Sequence, residues 1–168
     1  MLHLFGVNHS GQHRGVSHDP EIVCALECVA QRIFFECNVS VIAEEFSGEA
    51  CRVAGVERSV CEEMASSLSI LHVYCDPTSD ERQQYGIPTH DDIRTSIKSE
   101  LGLQYMIGEE ASELLEKRNA QYHAKRESVW ASKIQRFRIQ HVMFVCGSDH
   151  VQSFGSVLKS SGWDIGAV

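Results

Sequence analysis

Apolar residues along this chain fall into two patterns: short continuous runs, and longer stripes spaced three and four residues apart. The runs read as buried strands and the stripes as helices laid against them. Leu2 to Val7 is the first run. A polar loop from Asn8 to His18 follows, with Ser10, Gly11, Gln12 and Gly15 in it. Asp19-Pro20-Glu21 then supplies an N-cap, a proline at the first helical position and an acidic first turn. The stripe Ile22, Leu26, Val29 and Ile33, with Val23, Ala30 and Phe34 beside it, predicts a helix that stops at Asn38. Val39 to Ala43 is a short β-branched strand running into Glu44-Glu45. A loop with Ser47, Gly48 and Gly55 leads to a helix from Glu57 to Ser67, and Ser69 to Cys75 is a third strand closed by Asp76-Pro77.

The stretch 76–108 is the least regular part, broken by Pro77, Gly86, Pro88 and Gly102, and reads as short helices within a lid-like insertion. Glu109 to Phe137 has few breakers and predicts one long helix. His141 to Cys146 is a fourth strand, followed by a helix from Asp149 to Ser160 and a last strand from Trp163 to Val168. Strands that alternate with helices predict an α/β fold: a mostly parallel central sheet flanked by helices, with an irregular helical insertion. The crossovers are expected to be right-handed. At 168 residues the chain reads as a single domain over 1–168.

Two of the strand-like runs end in the same tetrapeptide pattern. The first passes into Gly6-Val7-Asn8-His9 and the fourth into Gly147-Ser148-Asp149-His150. A parallel sheet brings both ends to one edge, which in open α/β sheets is where ligands bind. Glycine at a strand exit permits a turn that other residues resist. A histidine at the rim suits base catalysis or metal ligation.

Glu44 and Glu45 belong to the same edge. Strand alternation is expected to turn one inward and leave the other outward, and Glu45 is favoured as the site residue. Asp76 occupies the matching position after the third strand. In the long helix, Glu127, Trp130 and Ile134 share a face that should pack on the sheet. A carboxylate there needs a partner, and its neighbour Arg126 could clamp an anion or stabilise an oxyanion. His13 and His18 flank the first site. His3, His72 and His141 fall within or beside strands and read as packed.

Composition narrows the function classes. A net charge of -8 argues against a nucleic-acid binder, whose affinity rests on Lys and Arg neutralising phosphates. No run approaches the ~18 apolar residues that span a bilayer, and no leader pattern opens the chain. None of the seven cysteines forms a CxxC pair. Cys24, Cys28, Cys37, Cys75 and Cys146 lie in apolar sequence surroundings and read as buried thiols of a cytoplasmic protein. GxGxxG, Walker, GxSxG and HExxH patterns are all missing, and neither Ser148 nor Cys146 sits in a recognisable nucleophile turn, which argues against a nucleophilic-triad enzyme.

The order of these motifs resembles the loose superfamily that joins erythromycin esterase, TraB/Tiki-type proteins and haem-binding ChaN proteins. That family places a Gly-x-x-His after its first strand, an acid at the end of its second, an Arg-Glu pair in a late helix and a second Gly-x-x-His after a later strand. Here these are Gly6 to His9, Glu45 or Glu44, Arg126 with Glu127, and Gly147 to His150. The tail after His150, with Leu158 and Gly162, is similar to the family's closing helix and last strand. The segment 76–108 has no counterpart. The resemblance implies an edge cleft holding His9, Glu45, Arg126, Glu127 and His150. It also implies a range of activities: metal-independent hydrolases, metal-dependent proteases and ligand binders.

The leading expectation is a small hydrolase for a small-molecule or peptide substrate, with a histidine as base and Glu45 or Glu127 holding it. In a metal variant His9, Glu45 and His150 surround a divalent ion. The alternatives are a protein that binds haem, metal or a small ligand without turnover, and an interaction module with a vestigial cleft. Oligomeric state is open at this level.

Overall fold

The computed structural model describes residues 1–8, 11–15 and 18–166. His9 lies outside the described residues. The chain divides into two compact units, one formed by 1–76 with 127–168 and the other by 77–126.

The first unit holds a five-stranded, wholly parallel sheet: β1 (Leu2–Val7), β2 (Val41–Glu44), β3 (Leu71–Tyr74), β4 (Val142–Gly147) and β5 (Ile165–Gly166), in the order β3-β2-β4-β1-β5. Its helices are α1 (Pro20–Cys37), α2 (Gly48–Val53) and α3 (Val60–Ser67) before β3, then the later part of α7 (His123–Ile134) and α8 (Val151–Ser160). The predicted parallel α/β architecture is therefore what forms.

Local chemistry accounts for α1. Asp19 caps it by accepting from the backbone N–H groups of Glu21 and Ile22, Pro20 opens it, and Asn38 closes it in the left-handed region at φ 53°. Its buried stripe is Val23, Leu26, Ala30 and Ile33. These residues join Val60, Cys61, Met64 and Ala65 of α3 and Ile42, Met143 and Val145 of the sheet in one core layer. The other layer sets Trp130 and Ile134 of α7 and Phe154 and Leu158 of α8 against Leu2, Val41, Ala43, Val142, Phe144 and Cys146.

This division sets the place of the cleft. The chain leaves the C-terminal ends of β1 and β2 toward the face covered by α1 and α3, and leaves β4 toward the face covered by α8. Since β4 lies between β1 and β2, the connections part on both of its sides. Such a parting at the carboxyl ends of strands opens the crevice in which doubly wound sheets bind ligands. Val7 is paired with Gly147 across it, so β1 and β4 end at the same level.

Three features differ from the expectation. The loop after Glu45 contains a short helix, α2, capped by Ser47 accepting from the Ala50 N–H. The helix predicted over 109–137 is broken. It forms α6 (Glu109–Ala120), then α7, then a 3-10 turn at Gln135–Phe137. Gln121 and Tyr122 donate to carbonyls only three residues back, at Arg118 and Asn119, and this tightening ends α6. Neither Gly6 nor Gly147 has a positive φ, so neither is there for a left-handed turn. Gly6 instead permits close approach, since a Cβ on it would fall 2.5 Å from Val151 Cγ2 and 3.1 Å from Ser148 Cα. Gly6→Ala is expected to push the start of α8 off β1 and to cost about 1–3 kcal/mol of stability, the range for overpacking. Denaturant unfolding checks this.

The second unit contains α4 (Ser79–Tyr85), α5 (His90–Leu101), α6 and the first turn of α7. It takes in the irregular stretch read from sequence and continues beyond it to Arg126. Capping boxes at Thr78–Glu81 and Thr89–Asp92 start α4 and α5, and Gly86 and Gly102 end them in the left-handed region. Arg118 of α6 bonds Ser96 and Glu100 of α5.

Candidate functional site

The C-terminal edge of the sheet gathers buried polar groups around His150. β4 runs out through Gly147 into a single 3-10 turn, Ser148–His150, and α8 begins at Val151. That turn folds the imidazole inward, and His150 is only 3% exposed. Its Nδ1 lies 2.8 Å from Glu127 Oε1. Its Nε2 stands in a longer contact, 3.4 Å from Glu45 Oε1.

Both carboxylates are held from behind. Glu127, 1% exposed, also accepts at Oε1 from the Ser153 hydroxyl at 2.5 Å. Ser153 sits one turn along α8 from His150 and additionally donates to the His150 carbonyl at 3.3 Å. Glu45, 2% exposed, accepts at Oε2 from the Gly147 N–H at 2.7 Å. Its own N–H donates to the Val145 carbonyl and its carbonyl accepts from Gln12 Nε2 at 3.5 Å. The chain Ser153–Glu127–His150–Glu45–Gly147 thus ties α7, α8 and the ends of β2 and β4 into one network. Trp130 packs edge-on to the imidazole at 4.8 Å between centroids, and its Nε1 donates to Asp76 Oδ1 at 3.3 Å. The acid after the third strand therefore bonds the tryptophan that packs on His150.

Glu44 and Glu45 go opposite ways, as alternation requires, but both are buried. Glu44 is 0% exposed and points to the α3 face. There its Oε1 accepts from the Ser59 hydroxyl and stands 2.7 Å from His72 Nε2. Its Oε2 has no hydrogen-bond partner among the described residues. Burial is the main reason that Cys61, whose thiol adjoins Glu44, is pushed well above the ordinary thiol range, and Glu44 adds to the shift. Close by, the Tyr74 hydroxyl donates to Glu62 Oε2 at 2.7 Å and contacts Cys51 Sγ at 3.3 Å. Desolvation, followed by the bonds to Cys51 and Glu62, raises the phenol above its ordinary value. The end of β2 and the residue after it therefore carry two carboxylate–histidine pairs on opposite faces, Glu44–His72 and Glu45–His150. The expectation that one carboxylate stays outward is corrected: helices cover both faces of the sheet.

The remaining candidates are placed as follows. Arg126 is the last residue of the second unit, and its charge falls on His90. Burial first, then Arg94, with Arg126 and Arg82 adding, holds that imidazole below its ordinary 6.5. His13 is buried, accepts from the Gly15 N–H at 3.0 Å and stacks on Phe46 at 6.0 Å. His18 is exposed, with Nδ1 2.6 Å from the Gly15 carbonyl. Ser153 is the member that reading the sequence missed. Its one signal is the three-residue spacing from His150, which puts both on one helical face.

Among the described residues no group of three or more His, Cys, Asp or Glu side chains could hold a metal ion. Comparison of the chain with protein-family models, curated proteins and solved structures finds no match. No helix of the described residues is long and apolar enough to cross a membrane.

Proposed function

We propose that the chain is a small hydrolase in which His150 is the general base. The observation that carries this reading is the asymmetric seating of the imidazole. Glu127 takes up Nδ1 at hydrogen-bond distance, while Nε2 faces Glu45 across 3.4 Å. An imidazole fixed at one nitrogen by a carboxylate presents the other to a reacting proton. A water hydrogen-bonded to Nε2 would give its proton to Nε2 as it attacked a carbonyl carbon. Glu127 would stabilise the imidazolium so formed, and Ser153 would keep Glu127 in place. His150 would return that proton to the leaving group. Exclusion of bulk water strengthens each of these electrostatic terms.

Two of the three candidate metal ligands have a spacing that one divalent ion could bridge. Two ligands at about 2.0–2.2 Å from a tetrahedral ion stand roughly 3.3–3.5 Å apart, which matches the His150 Nε2 to Glu45 Oε1 separation of 3.4 Å. The Glu127 bond to Nδ1 is the outer carboxylate contact that metal-bound histidines usually make. His150 and Glu45 would hold the ion, with His9 as the sequence's candidate for a third ligand, and the ion would supply an acidified water. Haem does not fit, because buried Glu45 stands 3.4 Å from Nε2 and leaves no room there for so large a group.

The test is a panel of small esters, amides and peptides assayed on the full chain, with and without added Zn²⁺. Turnover above buffer that falls away in His150→Gln supports the reading; no turnover on any member of the panel under either condition sinks it. Within an active preparation, Ser153→Ala is expected to lower kcat severalfold while leaving KM unchanged. It should also reduce stability by about 0.5–1.5 kcal/mol, the net worth of one hydrogen bond. Steady-state kinetics beside thermal unfolding would separate the two effects.

A further inference from the structure

Two thiols outside this network are both exposed to solvent. The core stripe of α1 is Val23, Leu26, Ala30 and Ile33. Cys24 and Cys28, four residues apart, are exposed on the outer side of the same helix. Cys51, Cys61, Cys75 and Cys146 are buried and Cys37 is half-buried. The two exposed thiols also sense each other: Cys24 is the first cause of the raised value of Cys28, through its charge and a hydrogen bond. Reading them from sequence as buried is thus corrected. They adjoin apolar residues in sequence but sit more than a quarter of a turn from the core stripe.

Helix geometry limits what such a pair can do. Positions four apart hold their Cβ atoms about 5–6 Å apart, whereas a disulfide needs roughly 3.5–4.5 Å. An S–S bond would distort the turn that seats Leu26. One atom bridging the two sulfurs would not. Neighbouring sulfurs on one helix face offer a narrow bite, which suits a pyramidal centre. Monovalent copper and divalent mercury instead favour two thiolates on opposite sides of the ion. No third His, Cys, Asp or Glu among the described residues completes a metal group here, so the protein fills two positions. A trivalent arsenic bearing one organic substituent has two exchangeable positions.

We propose that Cys24 and Cys28 form a dithiol binding site for monosubstituted trivalent arsenicals on the outer face of α1. With phenylarsine oxide the exchange is balanced without an oxidant or reductant. Two As–S bonds form, the bonding of arsenic to oxygen is lost, and the two thiol protons leave with that oxygen as one water. Arsenic stays trivalent and its carbon substituent stays attached.

The experiment treats the full chain with phenylarsine oxide and reads intact mass and far-ultraviolet circular dichroism. The expected result is one adduct per chain that survives excess β-mercaptoethanol, is stripped by 2,3-dimercaptopropanol and leaves helix content unchanged. Cys24→Ser and Cys28→Ser should each abolish the monothiol-resistant adduct, and Cys37→Ser should keep it. A resistant adduct in either single variant, none in the folded wild type, or loss of helix on binding would overturn the proposal.

Discussion

His150→Gln is expected to lower turnover on the hydrolytic substrate by about 10²–10⁴-fold, the usual contribution of one general acid–base group. Glutamine is chosen over alanine because of what surrounds the ring. His150 separates two carboxylates that are 2% and 1% exposed, Glu45 and Glu127. Removing the imidazole altogether leaves both facing a void without the ring's hydrogen bond, and an unsatisfied buried acceptor costs about 1–3 kcal/mol. His150→Ala is therefore expected to lose stability as well as activity, which makes its inactivity ambiguous. The glutamine amide can still donate toward Glu127 but cannot accept and return a proton. Kinetics and thermal unfolding measured on both variants separate chemistry from folding. Near-normal turnover in a folded His150→Gln protein would remove His150 from the base role.

The parts of this arrangement that could be read from sequence are those set by local rules. The Asp19-Pro20 start and Asn38 stop of α1 follow from capping chemistry, and the apolar runs of β1 and β4 mark strands covered on both faces. Placing Glu127, Trp130 and Ile134 on one inward face of α7 needed only the helical period, and all three are buried. What could not be read depends on packing between distant segments. Glycine at position 6 looks like a turn residue until Val151 is seen pressing on it. Ser153 is an ordinary helical serine until α7 brings Glu127 within 2.5 Å of its hydroxyl. The break between α6 and α7 carries no proline or glycine: Ala120, Gln121 and Tyr122 are compatible with continued helix. α6 buries only Ala111, so no apolar stripe ran through the break to signal one helix or two. Which histidine each of the adjacent acids meets is likewise a property of the strand order, since β3 brings His72 to Glu44 and β4 leads to His150 at Glu45.

That last point yields the sharpest test of the site, because Glu44 and Glu45 are consecutive, both buried and each beside a histidine. Glu45→Gln should reduce turnover by about 10²-fold or more, within the range for a group acting in proton transfer. It replaces the carboxylate oxygen facing Nε2 at 3.4 Å while leaving a carbonyl oxygen to accept from Gly147. Glu44→Gln should leave turnover near wild type. Its consequence is structural, because Ser59 and His72 both depend on Oε1 of Glu44. An amide oxygen can keep only part of that pairing, so a stability loss of about 1–3 kcal/mol is expected. Loss of activity in Glu44→Gln with Glu45→Gln active would move the chemistry to the α3 face and the His72 pair. Equal loss in both would instead implicate the strand end that carries the two carboxylates.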